Sequence, residues 1–110
     1  MKKHKLNVTT VDDVRRLSLS DFLSQLPSFD GPTYLSFDID CLDPAFAPGT
    51  GTPVVGGLTT YETQSILRHL KVKQLVGADI VEISPPFDSS EITALAGLDT
   101  LFEILCMMSN

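Results

Sequence analysis

Apolar residues along the chain switch between two spacings, and the switches mark its elements. Leu6 to Thr10 is short and β-branched and predicts a strand. Val11 to Leu26 has helix-compatible spacing in two pieces, with Ser20-Asp21 as a start signal and Pro27 as the stop. Asp30-Gly31-Pro32 reads as a turn. Thr33 to Ile39 is the clearest buried strand. Asp40 to Leu58 is a long stretch dense in Pro and Gly, yet Leu42, Phe46, Val54 and Val55 want burial. An ordered, functional loop fits that mixture better than a linker. Thr59-Thr60-Tyr61-Glu62 matches a capping box, and Ile66, Leu67 and Leu70 give the following helix its apolar face. A second buried strand runs from Leu75 to Ile83, and Ser84-Pro85-Pro86-Phe87 breaks it. After Ser89-Ser90-Glu91, a last helix carries Ala94, Leu95, Leu98, Leu101, Phe102 and Leu105 in a periodic stripe.

Strands alternating with helices predict a parallel sheet with helices on its faces, an α/β fold. In such sheets ligands bind beyond the carboxyl ends of the strands, so the chemistry is to be sought there. The 110 residues allow one domain. A net charge of -6 argues against a nucleic-acid or anionic-membrane surface and fits a cationic substrate or a metal. Many cytoplasmic proteins are equally acidic. Cys41 and Cys106 lack the spacing of a zinc site or a disulfide framework and read as reduced thiols of a cytoplasmic protein. The basic start is followed by no apolar stretch of a secretory signal.

Asp38 and Asp40 end the clearest strand. Residues i and i+2 of a strand share a face, so two carboxylates converge at the sheet edge. Their repulsion is relieved by a hard divalent cation such as Mg, Ca or Mn. The alternative has one Asp capping the turn and the other solvated, and spacing alone leaves both open. Asp43, before Pro44, suggests a turn-forming role. Glu82, at the end of the second strand, could fork a guanidinium or form a strand-end salt bridge with an Arg of the chain. Asp79, deeper in that strand, reads as a buried structural acid. His4 and His69 stand alone and are weak ligand candidates. Arg68, Lys71 and Lys73 read as solvated.

The run Ser36-Phe37-Asp38-Ile39-Asp40-Cys41-Leu42-Asp43-Pro44, continued by Ala45 to Pro53 and by Gly56-Gly57-Leu58-Thr59, resembles the C-terminal signature of the arginase and agmatinase superfamily. Val81-Glu82-Ile83-Ser84-Pro85 and Asp88 to Ala96 resemble its agmatinase branch. The resemblance implies a three-layer α/β/α arginase-like fold with a parallel sheet, of which residues 1–110 would be the C-terminal part of a single domain. It implies a pair of Mn ions, with Asp38 bridging both and Asp40 binding one, and it matches Glu82 to the acid that holds the substrate guanidinium. The reaction would be hydrolysis of agmatine to putrescine and urea, with guanidinobutyrase and arginase as alternatives differing in substrate. Homo-oligomers are usual in that family.

The family's earlier metal motifs, which carry histidines, find no counterpart in this sequence, nor does the catalytic histidine of its substrate loop. No residue here is therefore matched to a catalytic role. The expectation is a chain that alone binds metal weakly and forms no significant urea. A non-catalytic paralogue or a partner-binding piece is the alternative.

Overall fold

The computed structural model describes residues 6–109. Two strands, β1 (Ser28–Asp38) and β2 (Lys71–Val81), pair in parallel, with Leu35 beside Ala78, Phe37 beside Ile80 and Asp38 beside Val81. Helix α1 (Val11–Arg16) and helix α2 (Leu19–Ser24) precede β1. Helix α3 (Thr60–His69) makes the crossover to β2, and helix α4 (Ile92–Met108) follows it.

β1 begins earlier than the turn signal suggests. Asp30-Gly31-Pro32 is absorbed into the strand, and a register irregularity between Phe29 and Pro32 accommodates it. The strand expected over Leu6–Thr10 is not formed. Thr10 instead caps α1: its hydroxyl accepts the Asp13 amide while Asp13 returns a bond to the Thr10 amide. The two helical pieces are as expected, but the second starts from Ser18, whose hydroxyl accepts the Asp21 amide. The capping box of α3 is also as expected, with Thr59 and Glu62 exchanging bonds of 2.9 and 3.0 Å.

Inward-facing Leu35 and Phe37 of β1, with Ala78 and Ile80 of β2, meet Ala96 and Ile104 of α4. Ile39, Leu42 and Ala47, just past β1, complete this core. The other sheet face carries Tyr34, Ser36 and Asp38 and is largely open, Tyr34 being 59% exposed. On that face the Tyr34 ring lies over Gly77, where a Cβ would come within 3.0 Å of it. Its hydroxyl donates to Asp79 Oδ2 at 2.8 Å, and Ser36 donates to Asp79 Oδ1 at 2.6 Å. Asp79 is therefore a half-buried cross-strand brace rather than a buried acid. These two hydroxyls lower its pKa.

Arg68 is not simply solvated either: its guanidinium donates to Glu103 Oε1, 2.6 Å from Nη2, and Glu103 is buried in α4. No helix among the described residues is long and apolar enough to cross a membrane.

Candidate functional site

Beyond β1 the backbone makes one 3-10 turn, Ile39–Cys41, and then a loop closed at its neck. The Asp43 amide donates to Leu58 O at 2.8 Å, and the Leu58 amide donates to Cys41 O at 2.9 Å. Gly57 is required at this neck, because a Cβ there would sit 2.7 Å from Asp43 N and 2.8 Å from Cys41 O. Asp43 is the turn former expected of it: its carboxylate accepts the amides of Ala45 and Gly56, both at 2.9 Å. Those amides hold its pKa below the usual range. Outside the neck, Arg15 of α1 donates to Gly57 O at 2.8 Å and pairs with Glu62 at 2.9 Å.

Further along, the loop is fastened to α4 and to the exit of β2. The buried Gly49 amide donates to Thr93 Oγ1 at 2.7 Å, and Gly49 O accepts the Ser84 amide at 2.7 Å. The approach is so close that a Cβ on Gly49 would lie 2.7 Å from Asp88 Cβ and 2.9 Å from Thr93 Oγ1. Asp88 in turn accepts the Thr93 and Ala94 amides at the start of α4.

This scaffold presents the acids. Asp38 ends β1 opposite Val81, so Glu82 emerges one residue beyond its register partner. Asp38 Oδ1 accepts the Asp40 amide at 3.1 Å, and Asp40 Oδ2 accepts the Thr52 hydroxyl at 2.9 Å. Glu82 has φ +70°, a left-handed conformation costly for a side chain with a Cβ. Partial desolvation, joined by the carboxylate of Asp40 and the charge of Glu82, raises the Asp38 pKa, while the Asp40 amide opposes them. Asp38 and Glu82 thus stand at the ends of neighbouring strands, and Asp40 follows Asp38 in the 3-10 turn rather than along the strand as its i, i+2 spacing suggested. None of the ion pairs found among the described residues includes any of them. The strand-end salt bridge considered for Glu82 is thus not formed within those residues.

Burial, with the charges of Asp38 and Asp40, pushes the Cys41 thiol up to about 11, so it is protonated at neutral pH. Both cysteines are free thiols. His69 ends α3 with Nδ1 2.7 Å from Ser65 O, a bond within its own helix. His4 lies outside the described residues.

The donor set suits a hard divalent cation: carboxylate oxygens, steadied by an amide and a hydroxyl. It does not amount to a whole site. No group of three or more His, Cys, Asp or Glu side chains among the described residues is arranged to hold a metal. The sequence reading missed Thr52 and the Gly49–Thr93 tether. Their only signal was the Gly-Thr-Gly-Thr run inside the loop.

Comparison with known proteins gives this arrangement a context. The model of the arginase family matches residues 1–107. An agmatinase of Photorhabdus laumondii is 51% identical over 105 residues, covering 94% of this chain and 34% of that protein. A guanidinopropionase of Pseudomonas aeruginosa is 58% identical over 80 residues, covering 73% of this chain and 25% of that protein. Among solved structures, a hypothetical agmatinase from Burkholderia thailandensis superposes with TM-score 0.71 at 43% identity, over 89% of this chain and 32% of that one. An arginase from Medicago truncatula superposes with TM-score 0.72 at 30% identity, over 89% and 31%. The chain thus spans about a third or less of the length of these relatives.

Proposed function

The chain belongs to the arginase family, and from that premise we propose that it carries the acid edge of an agmatinase-like ureohydrolase site. The observation that supports this reading is the placement of Asp38, Asp40 and Glu82 at or just past the carboxyl ends of two adjacent parallel strands. Asp38 and Asp40 would hold Mn. When bound, such a metal supplies positive charge and a water ionised near neutral pH.

The residues of this chain do the rest of the work assigned to it. Thr52 fixes one oxygen of Asp40, leaving the other for the cation. Glu82 takes the cationic guanidinium in a charge-assisted fork and holds its carbon against the acid pair. The closed loop neck and the Gly49 tether keep the edge in place between these groups. The products are urea and an amine, putrescine where the substrate is agmatine. The assembled enzyme would be a cytoplasmic homo-oligomer.

The two acids leave most of a metal's coordination to other residues. Isothermal titration of the purified chain with Mn, with urea release from agmatine assayed on the same sample, tests the reading. Weak binding that Asp38→Asn and Asp40→Asn abolish, without urea, is expected. Binding indifferent to both substitutions removes the metal assignment, and turnover by the chain alone refutes the incomplete site.

A second substrate reading, a guanidino acid in place of agmatine, rests on the 58% identity over 80 residues to a guanidinopropionase. Replacing the matching third of the Photorhabdus laumondii agmatinase by this chain, then comparing agmatine with 3-guanidinopropionate, separates the two.

A further inference from the structure

Glu82 stands in a conformation that its own backbone does not favour. A φ of +70° brings the Cβ of an L residue too close to the backbone, and such a residue stays there only where its surroundings over-determine it. Two anchors bracket it. On one side Val81 is paired with Asp38 at the end of β2. On the other, the Ser84 amide donates to Gly49 O at 2.7 Å. Only Glu82 and Ile83 lie between these anchors. Ile83 is itself packed on α4, its Cδ1 2.7 Å from where a Cβ on Gly97 would stand.

The second anchor is only as firm as Gly49. That residue is buried, and its amide donates to Thr93 Oγ1 at 2.7 Å. Thr93 has no solvent exposure, and its own amide is held at 2.8 Å by the Asp88 carboxylate. Three residues past Gly49, Thr52 donates to Asp40 Oδ2. Gly49 therefore stands between two parts of the acid edge, reaching Glu82 by way of Ser84 and Asp40 by way of Thr52.

We infer that Thr93 is a positioning residue: by holding Gly49, its hydroxyl oxygen fixes Glu82 in the left-handed conformation and sets where that carboxylate stands relative to Asp38 and Asp40. The inference rests on the ureohydrolase reading for what Glu82 holds there. A carboxylate that forks a guanidinium depends on two bonds of fixed geometry, so a small displacement of its backbone weakens both. Thr93 belongs to α4 and acts on the edge through Gly49 and Ser84. Were its role structural alone, losing the hydroxyl would lower stability and the folded fraction but leave KM unchanged.

The test uses the chimera of this chain with the Photorhabdus laumondii agmatinase and reads two quantities on each variant. The first is KM for agmatine in Mn-dependent urea release. The second is amide exchange by mass spectrometry over residues 82–87. In Thr93→Val, KM should rise about tenfold, and exchange over 82–87 should quicken about tenfold. Thr93→Ser, which keeps the oxygen, should restore both. Thr100→Val, at another buried threonine of α4 whose hydroxyl bonds only to Ala96 O, should change neither. In a Glu82→Gly background, Thr93→Val should add nothing further to KM, as expected when one residue acts through the other.

A folded valine variant with KM and exchange unchanged overturns the inference. So does a serine variant as impaired as the valine one, or a Thr93 effect on KM that adds in full to that of Glu82→Gly. Where the valine variant does not fold, Thr93→Ala, which leaves room for a water at the Gly49 amide, is read against Thr93→Ser by the same two measures. A parent chimera that releases no urea refutes the ureohydrolase reading, and the exchange comparison then decides the positioning role by itself.

Discussion

The bond from Gly49 to Thr93 makes a sharp prediction, because both groups are buried and the exchange to be made is isosteric. Thr93→Val keeps the shape and removes the acceptor. The Gly49 amide, in a site with no solvent exposure at Thr93, is then left without its 2.7 Å partner. An unsatisfied buried donor costs about 1–3 kcal/mol. Thr93→Ser keeps the acceptor and loses one methyl, which costs about 0.8 kcal/mol of burial plus a small void. The valine, usually the gentler replacement of a buried threonine, should therefore be the more damaging of the two. Urea denaturation followed by circular dichroism gives both values, with an unchanged slope showing that only stability moved. A serine variant as damaged as the valine one, or a valine variant within about 0.5 kcal/mol of the parent, would refute the view that this bond fastens the loop.

Further outcomes follow from the same geometry. Gly57→Ala should destabilise by about 1–3 kcal/mol in the same assay, since the new methyl meets backbone atoms at 2.7 and 2.8 Å that cannot rotate away. Glu82→Gly should leave the chain as stable or more so, by up to about 1–2 kcal/mol, because the left-handed φ of +70° is then free of strain. If it also lowers stability, the conformation is not strained. In the agmatinase chimera the same change should raise KM for the guanidinium substrate, and an unchanged KM would remove Glu82 from that role. Acid should weaken the fold. Arg15, aided by the Thr59 amide and hydroxyl against some desolvation, lowers the Glu62 pKa from its ordinary 4.5. A carboxyl lowered on folding contributes stability that is present above 4.5 and is lost as pH falls through the folded value. Glu62→Gln should flatten that part of a pH series of urea midpoints, and a series unchanged by it would sink the assignment.

Much of this architecture is legible in the residues. Thr33 to Ile39 and Leu75 to Ile83 read as strands because their apolar runs are long and bounded by Pro and Gly. The α3 start reads cleanly because a capping box is local chemistry. The failures have a common cause, which is that sequence shows valence without partners. Leu6–Thr10 has strand-like residues but no strand alongside, and Thr10 satisfies α1 instead. Gly31-Pro32 looks like a turn, yet pairing with β2 carries the strand through it. At the acid edge, the i, i+2 argument assumed that Asp38 and Asp40 share a strand, whereas β1 ends at Asp38 and Asp40 stands in the 3-10 turn that follows. Thr52 could not be found that way, since it reaches Asp40 only after the loop has folded back over twelve residues.

The neck closed by Asp43, Gly57 and Leu58 also bears on how such a protein changes over time. Because the ends are held by backbone bonds and the Asp43 carboxylate, Val54 and Val55, next to that neck and 63% and 88% exposed, contribute little to holding the loop. Doubling a flexible loop costs only about 0.6 kcal/mol once its ends are joined. Insertions at these two positions are therefore nearly neutral for folding. That segment can change in length while Asp43, Gly57 and Leu58 keep the neck closed.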